Sequence, residues 1–284
     1  MEIAIKKDDP DILKEVEKPA AVWYLISGTK DWIMKQAKAQ VKEAVKIKSN
    51  IYLLKIHSPY LAKKSQPGQF LHLKISSVIL RRPFSIHKVE GNTVFILFRV
   101  RGRGTKALSQ IKKGKVLDII GPLGKGFDFK NNRENILIAG GIGVAPLVFL
   151  AQKLKGTKNL VLLGAKNKSE VICENEFKKL GFAVKLATDD GSRGYKGTAI
   201  SLLKHILRTT DDGRRTTIYA CGPKEMFLEI SKVLKKYPRI NCQVSFEQFM
   251  GCGLGICCAC VIETKNGYQK VCKDGPVFDI KDIW

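Results

Sequence analysis

NILIAGGIGVAPL, residues 135–147, is an apolar run that breaks on glycines and resumes with a helical pattern. Ile136 to Ala139 read as a short strand. Gly140, Gly141 and Gly143 supply a tight turn, and VAPLVFLAQKLKG continues as a helix with Pro146 in its first turn, where a missing N–H costs little. Strand, glycine turn and helix in this order bring a phosphate-bearing ligand close to a helix N-terminus. The spacing is G-x-G-x-x-P from 141 to 146, not G-x-G-x-x-G. Downstream, LVLLGAK, AVKLATDDG and TTIYACGP read as strands, and EVICENEFKKLG, SLLKHILR and KEMFLEISKVLKKY as helices. Strand–helix alternation predicts a parallel α/β domain over 131–238, with ligands at the carboxyl ends of its strands. YACGPKEM, 219–226, lies at one such end.

Upstream the pattern differs. Between 41 and 130, VKEAVKIKSNIYLLKIHSP, QFLHLKIS, TVFILFRV and KVLDIIGP cluster β-formers between Pro, Gly and Asn turns, which predicts an antiparallel β-barrel. Three stretches of it suit a bound dinucleotide. RRPFSIHK, 81–88, sets Arg82, Pro83, Phe84 and Ser85 side by side; arginine can pair a phosphate bidentately and serine can meet a ring nitrogen. LFRVRGRGT, 97–105, ends in a glycine turn with backbone donors for a pyrophosphate, and GPLGKGF, 121–127, is a second glycine-rich turn. A charged edge strand is the bland alternative for RRPFS taken alone.

Near the end, GCGLGICCACVIETKNGYQKVCKDGPVFD, 251–279, carries Cys252, Cys257, Cys260 and Cys272 in a C-x(4)-C-x(2)-C-x(11)-C spacing. The first three follow the plant-type arrangement for a 2Fe–2S cluster, and the glycines between them let backbone N–H groups turn toward the sulfurs. Zinc is the rival for four thiolates, but it usually takes two short cysteine knuckles. A module over 239–284 is expected to hold the cluster. Cys258 is expected to point away from it, and Cys173 and Cys242 to be small core residues.

Eight cysteines, five of them in one loop, with no secretory signal, suggest metal ligands in a reducing, cytoplasmic setting. The net charge of +24 raises the question of nucleic acid or an anionic membrane. The lysines come as scattered pairs, the pattern of solvated faces, so no nucleic-acid role is expected. The longest apolar run, 136–151, is too short and glycine-rich to span a bilayer. Residues 1–40 are an extension of unassigned role, either an appendage or, with translation from Met34, partly an artefact. The four histidines, 57, 72, 87 and 205, are dispersed, and His87 reads as a surface residue.

The ordered set R-P-F-S, G-R-G-T, G-P-L-G-K-G-F, A-G-G-I-G-V-A-P and C-G-P-K-E-M resembles the ferredoxin–NADP reductase superfamily over 41–284. The cysteine loop with VCKDGPVF after it is similar to the iron–sulfur flavoprotein (electron-transfer) subunits of NAD-dependent dihydroorotate dehydrogenases. The resemblance implies FAD held by Arg82, Pro83, Phe84, Ser85, Leu97, Phe98, Arg99, Gly104 and Thr105. It implies NAD(H) bound by Gly141, Gly143 and Pro146, with Cys221 and Gly222 near the reacting carbon, and no side chain acting as a catalytic acid or base. Phe84 stands where many members have a tyrosine, so stacking survives and the hydroxyl is lost. In GAKNKSE, 164–170, Lys166 and Lys168 would suit a 2′-phosphate, whereas the resemblance favours NADH. It further implies an FMN-containing dihydroorotate dehydrogenase catalytic subunit as partner, in a heterotetramer of two plus two. The alternatives are a diaphorase subunit of a hydrogenase, sulfite reductase or transhydrogenase, and, from another class, a basic zinc module on nucleic acid. Cys252 favours the pyrimidine enzyme, because transhydrogenase-type relatives tend to have an aspartate there.

Overall fold

A computed structural model describes residues 23–24, 34–129, 134–154, 158–209 and 216–284. Eight strands form the first sheet: β1 (Trp23–Tyr24), β2 (Met34–Lys48), β3 (Ile51–His57), β4 (Phe70–Lys74), β5 (Arg82–Ser85), β6 (Lys88–Glu90), β7 (Thr93–Arg99) and β8 (Val116–Leu123). Their order is β5-β4-β8-β2-β3-β7-β6, with β1 beside β2, and every pair is antiparallel. Alternation builds its core. Leu54 and Ile56 of β3, and Val94, Ile96 and Phe98 of β7, are buried in one cluster with Leu71, Leu73 and Ile119. Each such side chain contributes about 1.5–3 kcal/mol by leaving water.

β2 begins at Met34, ahead of the expected boundary at 41. The lysine- and alanine-rich segment MKQAKAQ has little intrinsic strand preference. Pairing of residues 36–40 with β8 overrides it, and Gln36 donates to both carboxylate oxygens of Asp118 at 2.8 Å. Apart from β1, the question raised by residues 1–33 lies outside the described residues.

The second sheet has β9 (Glu134–Gly140), β10 (Lys158–Ala165), β11 (Ala183–Thr188), β12 (Tyr195–Lys196), β13 (Thr216–Cys221), β14 (Asn241–Ser245) and β17 (Val277–Asp279); β15 (Val261–Thr264) and β16 (Gly267–Lys270) form a separate hairpin. The order is β12-β11-β10-β9-β13-β14-β17, parallel except for β17. Both faces are covered, so the central strands are apolar throughout rather than alternating. Ile136 and Ile138 of β9 pack toward one face, with Leu203 and Phe227. Leu137 and Ala139 pack toward the other, with Leu147, Leu150 and Phe177.

The expected boundary at 238 does not divide the sheet. β14 pairs with β13, and after the cysteine segment the chain returns as β17 against β14. Pro238 suggests a linker, but the turn around it is closed by Ile240 N–H donating to the Tyr237 carbonyl at 3.1 Å, and the chain goes straight into β14. Among the described residues no helix is long and apolar enough to cross a membrane.

His87 corrects a further expectation: it is fully buried, not on the surface. Nδ1 lies 2.9 Å from the Ala145 carbonyl and Nε2 lies 3.3 Å from Glu176 Oε2, so the ring bridges the first sheet to two helices beside the second. Lys48 Nζ makes a parallel tie, donating to the carbonyls of Ser169 at 2.6 Å and Val171 at 2.7 Å. Burial pushes the Glu176 carboxyl up, but His87 and Lys88 outweigh it and hold the group below the usual range. The ionised form therefore stabilises the fold above the ordinary glutamate value of about 4.3, and this is lost as pH falls through the lowered value. Glu176→Gln should cost about 1 kcal/mol in urea melts at neutral pH, the figure being trimmed for a side chain one-third exposed. The gap from the native protein should close as the pH falls through the lowered carboxyl value.

Candidate functional site

The glycine turn after β9 is set by packing. A Cβ on Gly143 would collide with the Cys221 carbonyl at the end of β13, so only glycine lets these two strand ends meet. The turn leads into helix Ala145–Lys153, with Pro146 in its first turn. Beside it opens a cleft of about 910 Å³ lined by Gly141, Gly143, Gly222, Lys166, Asp189 and Lys224, among others. Strand ends converge there as the parallel alternation predicts.

A smaller cavity of about 250 Å³ lies against the first sheet, lined by Pro83, Phe84 and Ser85 of β5, Leu97, Phe98 and Arg99 of β7, and Pro146. β5 and β7 bring the two sequence stretches together, and Phe84 and Phe98 meet edge-on at 5.6 Å. The two cavities share Arg99, Arg101, Ile142 and Glu247. Arg99 pairs with Glu170 at 3.5 Å, yet its buried Nε has no partner. A donor left in this state suits an anionic or carbonyl-bearing ligand.

Four expected cofactor residues, Arg82, Gly104, Thr105 and Cys221, stand outside the cavity linings. Arg82 donates to the carbonyls of Leu80 at 2.8 Å and Arg81 at 3.2 Å. Gly104 and Thr105 lie in helix Arg103–Ser109, where Thr105 Oγ1 accepts from the N–H of Arg101 at 2.9 Å and Gly102 at 3.1 Å. In this arrangement Thr105 closes its own turn. Lys166 lines the larger cleft, whereas Lys168 sits in a 3-10 turn outside it. Cys221 is buried directly behind the glycine turn. Burial, then the charge of Glu247, push its thiol well up, against a hydrogen bond with Ser245.

Glu247 was not legible from the sequence. A single carboxylate in SFEQF carries no pattern, yet the fold places it where the cavities meet. Burial raises its carboxyl, and Arg101 opposes the shift.

The four thiols at 252, 257, 260 and 272 converge on a nest of backbone donors. Cys252 Sγ accepts from Leu254 N–H at 3.3 Å and Cys257 N–H at 3.5 Å, and Cys257 Sγ accepts from Cys252 N–H at 3.4 Å. Cys272 Sγ accepts from Gly255 N–H at 3.1 Å, and Cys260 Sγ from Cys272 N–H at 3.4 Å. Burial works against the Cys252 thiolate, but the N–H groups of Cys257, Leu254 and Ile256 bring its pKa down to about 7. Burial and the neighbouring Cys260 push Cys272 up to about 12. Four sulfurs with N–H donors aimed at them fit an iron–sulfur cluster. Cys258 is exposed, its Sγ 3.8 Å from the Ile256 carbonyl and turned to a different partner from the other four.

The family model "Iron-sulfur cluster binding domain of dihydroorotate dehydrogenase B" matches residues 247–284, and "Oxidoreductase NAD-binding domain" matches 137–232. The dihydroorotate dehydrogenase B (NAD(+)) electron transfer subunit of Caldanaerobacter subterraneus subsp. tengcongensis is 37% identical over 251 residues, covering 87% of this chain and 97% of the relative. Its counterpart in Desulforamulus reducens is 39% identical over 253 residues, covering 84% and 95%. The chain belongs to this family of electron transfer subunits. Among solved structures, an NADH-dependent reduced ferredoxin–NADP oxidoreductase, described for flavin-based electron bifurcation, superposes with a TM-score of 0.78 at 26% identity, over 91% of each chain. A ferredoxin NADP+ reductase from Neisseria gonorrhoeae shares the fold at a TM-score of 0.59 and 15% identity, over 74% of this chain and 99% of that one. The turn should therefore tolerate no side chain at Gly143. Gly143→Ala should lower stability by about 1–3 kcal/mol in denaturant melts and weaken binding of a nicotinamide nucleotide in calorimetric titrations.

Proposed function

We propose that this chain is the electron transfer subunit that links NAD(H) to the FMN of a dihydroorotate dehydrogenase catalytic subunit in pyrimidine biosynthesis, in a two-plus-two heterotetramer. The carrying observation is one chain that has two joined cavities and a four-thiol nest. When bound, FAD, NAD(H) and a 2Fe–2S cluster supply the hydride and single-electron chemistry, and the protein's part is to hold them.

The residues divide that work. Phe84 and Leu97 offer apolar faces to a flavin ring, Ser85 a hydroxyl, and Arg99 a free N–H to an acceptor on FAD. Pro83 stiffens β5, and Phe98 backs Phe84. Arg82, Gly104 and Thr105 belong to this reading only if the adjoining loop reorients around a pyrophosphate. Gly141, Gly143, Pro146 and Gly222 form the nicotinamide turn, with Cys221 behind it. Cys252, Cys257, Cys260 and Cys272 are the iron ligands. In this reading the first sheet closes as a flavin-binding barrel, 131–238 binds the nucleotide, and 239–284 carries the cluster between two strands it lends to the nucleotide sheet. All eight cysteines are free, which suits a cytoplasmic setting.

Three experiments test the reading. Anaerobically purified protein should be coloured by flavin and iron–sulfur absorption; protein that stays colourless after reconstitution would overturn it. Cys258→Ser should keep full iron content, whereas Ser at 252, 257, 260 or 272 should lose most of it. Co-expressed with an FMN-containing catalytic subunit, the native chain should support dihydroorotate-dependent reduction of NAD, and Cys272→Ser should abolish this while FAD stays bound.

A further inference from the structure

His72 lies in β4 and is fully buried, although it belongs to no apolar pattern that needs a polar ring. One side of its strand pairs with β5, where His72 is opposite Pro83 and Phe70 opposite Ser85. The ring itself meets the thiol loop. Nδ1 lies 3.2 Å from the carbonyl oxygen of Cys252. Gly253, at φ +72°, is so close that a Cβ there would sit 2.5 Å from Nδ1 and 3.0 Å from Cε1. The other nitrogen, Nε2, has no hydrogen-bond partner.

The partner decides the ring's chemistry. A carbonyl oxygen only accepts, so Nδ1 carries the proton and donates, leaving a lone pair on the unpartnered Nε2. A leucine would fill the same buried site without orphaning a nitrogen. The ring's polar bond is thus directed at the loop. Cys252 is otherwise held from within the loop, through its N–H on Cys257 Sγ and its Sγ under the N–H groups of Leu254 and Cys257. Its carbonyl is held from the first sheet.

We infer that His72 is a positioning residue for the iron–sulfur loop: its Nδ1–H clamps the Cys252 carbonyl and fixes the loop against the strand next to the one that lines the flavin cavity. The inference rests on Cys252 being a cluster ligand. A clamp on the backbone of a ligating residue acts as outer-shell partners of metal ligands do, by fixing ligand orientation and excluding alternative loop positions.

The test compares two amides. His72→Asn places an amide nitrogen where Nδ1 was, and His72→Gln places one where Nε2 was. Each variant is purified anaerobically with its FAD, and three quantities are measured: FAD content, the visible circular dichroism of the cluster, and the half-life of that signal in air. His72→Asn should keep the native dichroism and half-life, whereas His72→Gln should shift the dichroism and shorten the half-life by about 10-fold. Asn and Gln variants that behave alike, whether both native or both altered, would overturn the inference. Loss of FAD from either would do the same, since the ring would then serve the first sheet rather than the loop. Native protein without iron would instead sink the ligand assignment on which the inference stands, so the two failures are told apart.

Discussion

The return of the chain at Gly275–Asp279 is the constraint on which the rest depends. β17 pairs antiparallel with β14, Phe246 N–H donates to the Pro276 carbonyl at 2.9 Å, and Lys125 N–H in the first domain donates to the Gly275 carbonyl at 2.6 Å. The cysteine segment is therefore a loop with both ends closed, not a tail. Closing it costs chain entropy, which rises only slowly with loop length. The Phe246 ring offsets that cost by packing against Phe227 at 5.1 Å, Phe278 at 5.8 Å and Trp284 at 6.0 Å. Phe246 also walls the smaller cavity, so the contact that seals the loop shapes that cavity as well.

Charge is managed by the same geometry. Arg99, Arg101 and Glu247 face the junction of the cavities, and Glu170 reaches Arg99 from the nucleotide side. Fixed charges in a partly water-excluded cleft act more strongly than on the surface. The excess of lysine elsewhere is largely exposed and is screened within about 10 Å at ordinary salt. What distinguishes the junction is a small set of charges that both sheets bring to one cleft, not the net +24.

Local chemistry made some residues legible before any fold was known. The cysteine spacing, the glycine turn at 140–143 and the R-P-F-S strand each depend on neighbours in sequence. The structure gathers the four thiols under common backbone donors and sets the glycine turn and Pro83, Phe84 and Ser85 along the cavities. Arg82, Gly104 and Thr105 show the limit of this: motif membership placed them at the site, while their side chains and backbones bond locally and stand outside the cavities. The start of β2 carries no local signal because its hydrogen bonds come from β8, some eighty residues later.

By itself, the sequence determined the alternation of an antiparallel and a parallel region, the four thiols and the glycine turn, because periodicity and short-range spacing encode these directly. Only the tertiary structure decided that 241–245 and 277–279 belong to the nucleotide sheet, that Glu247 sits between the cavities, and that His72 and His87 are buried ties between parts of the molecule. The physical reason is that a lone carboxylate or imidazole has no pattern. Its role comes from the groups that distant strands bring to its polar atoms.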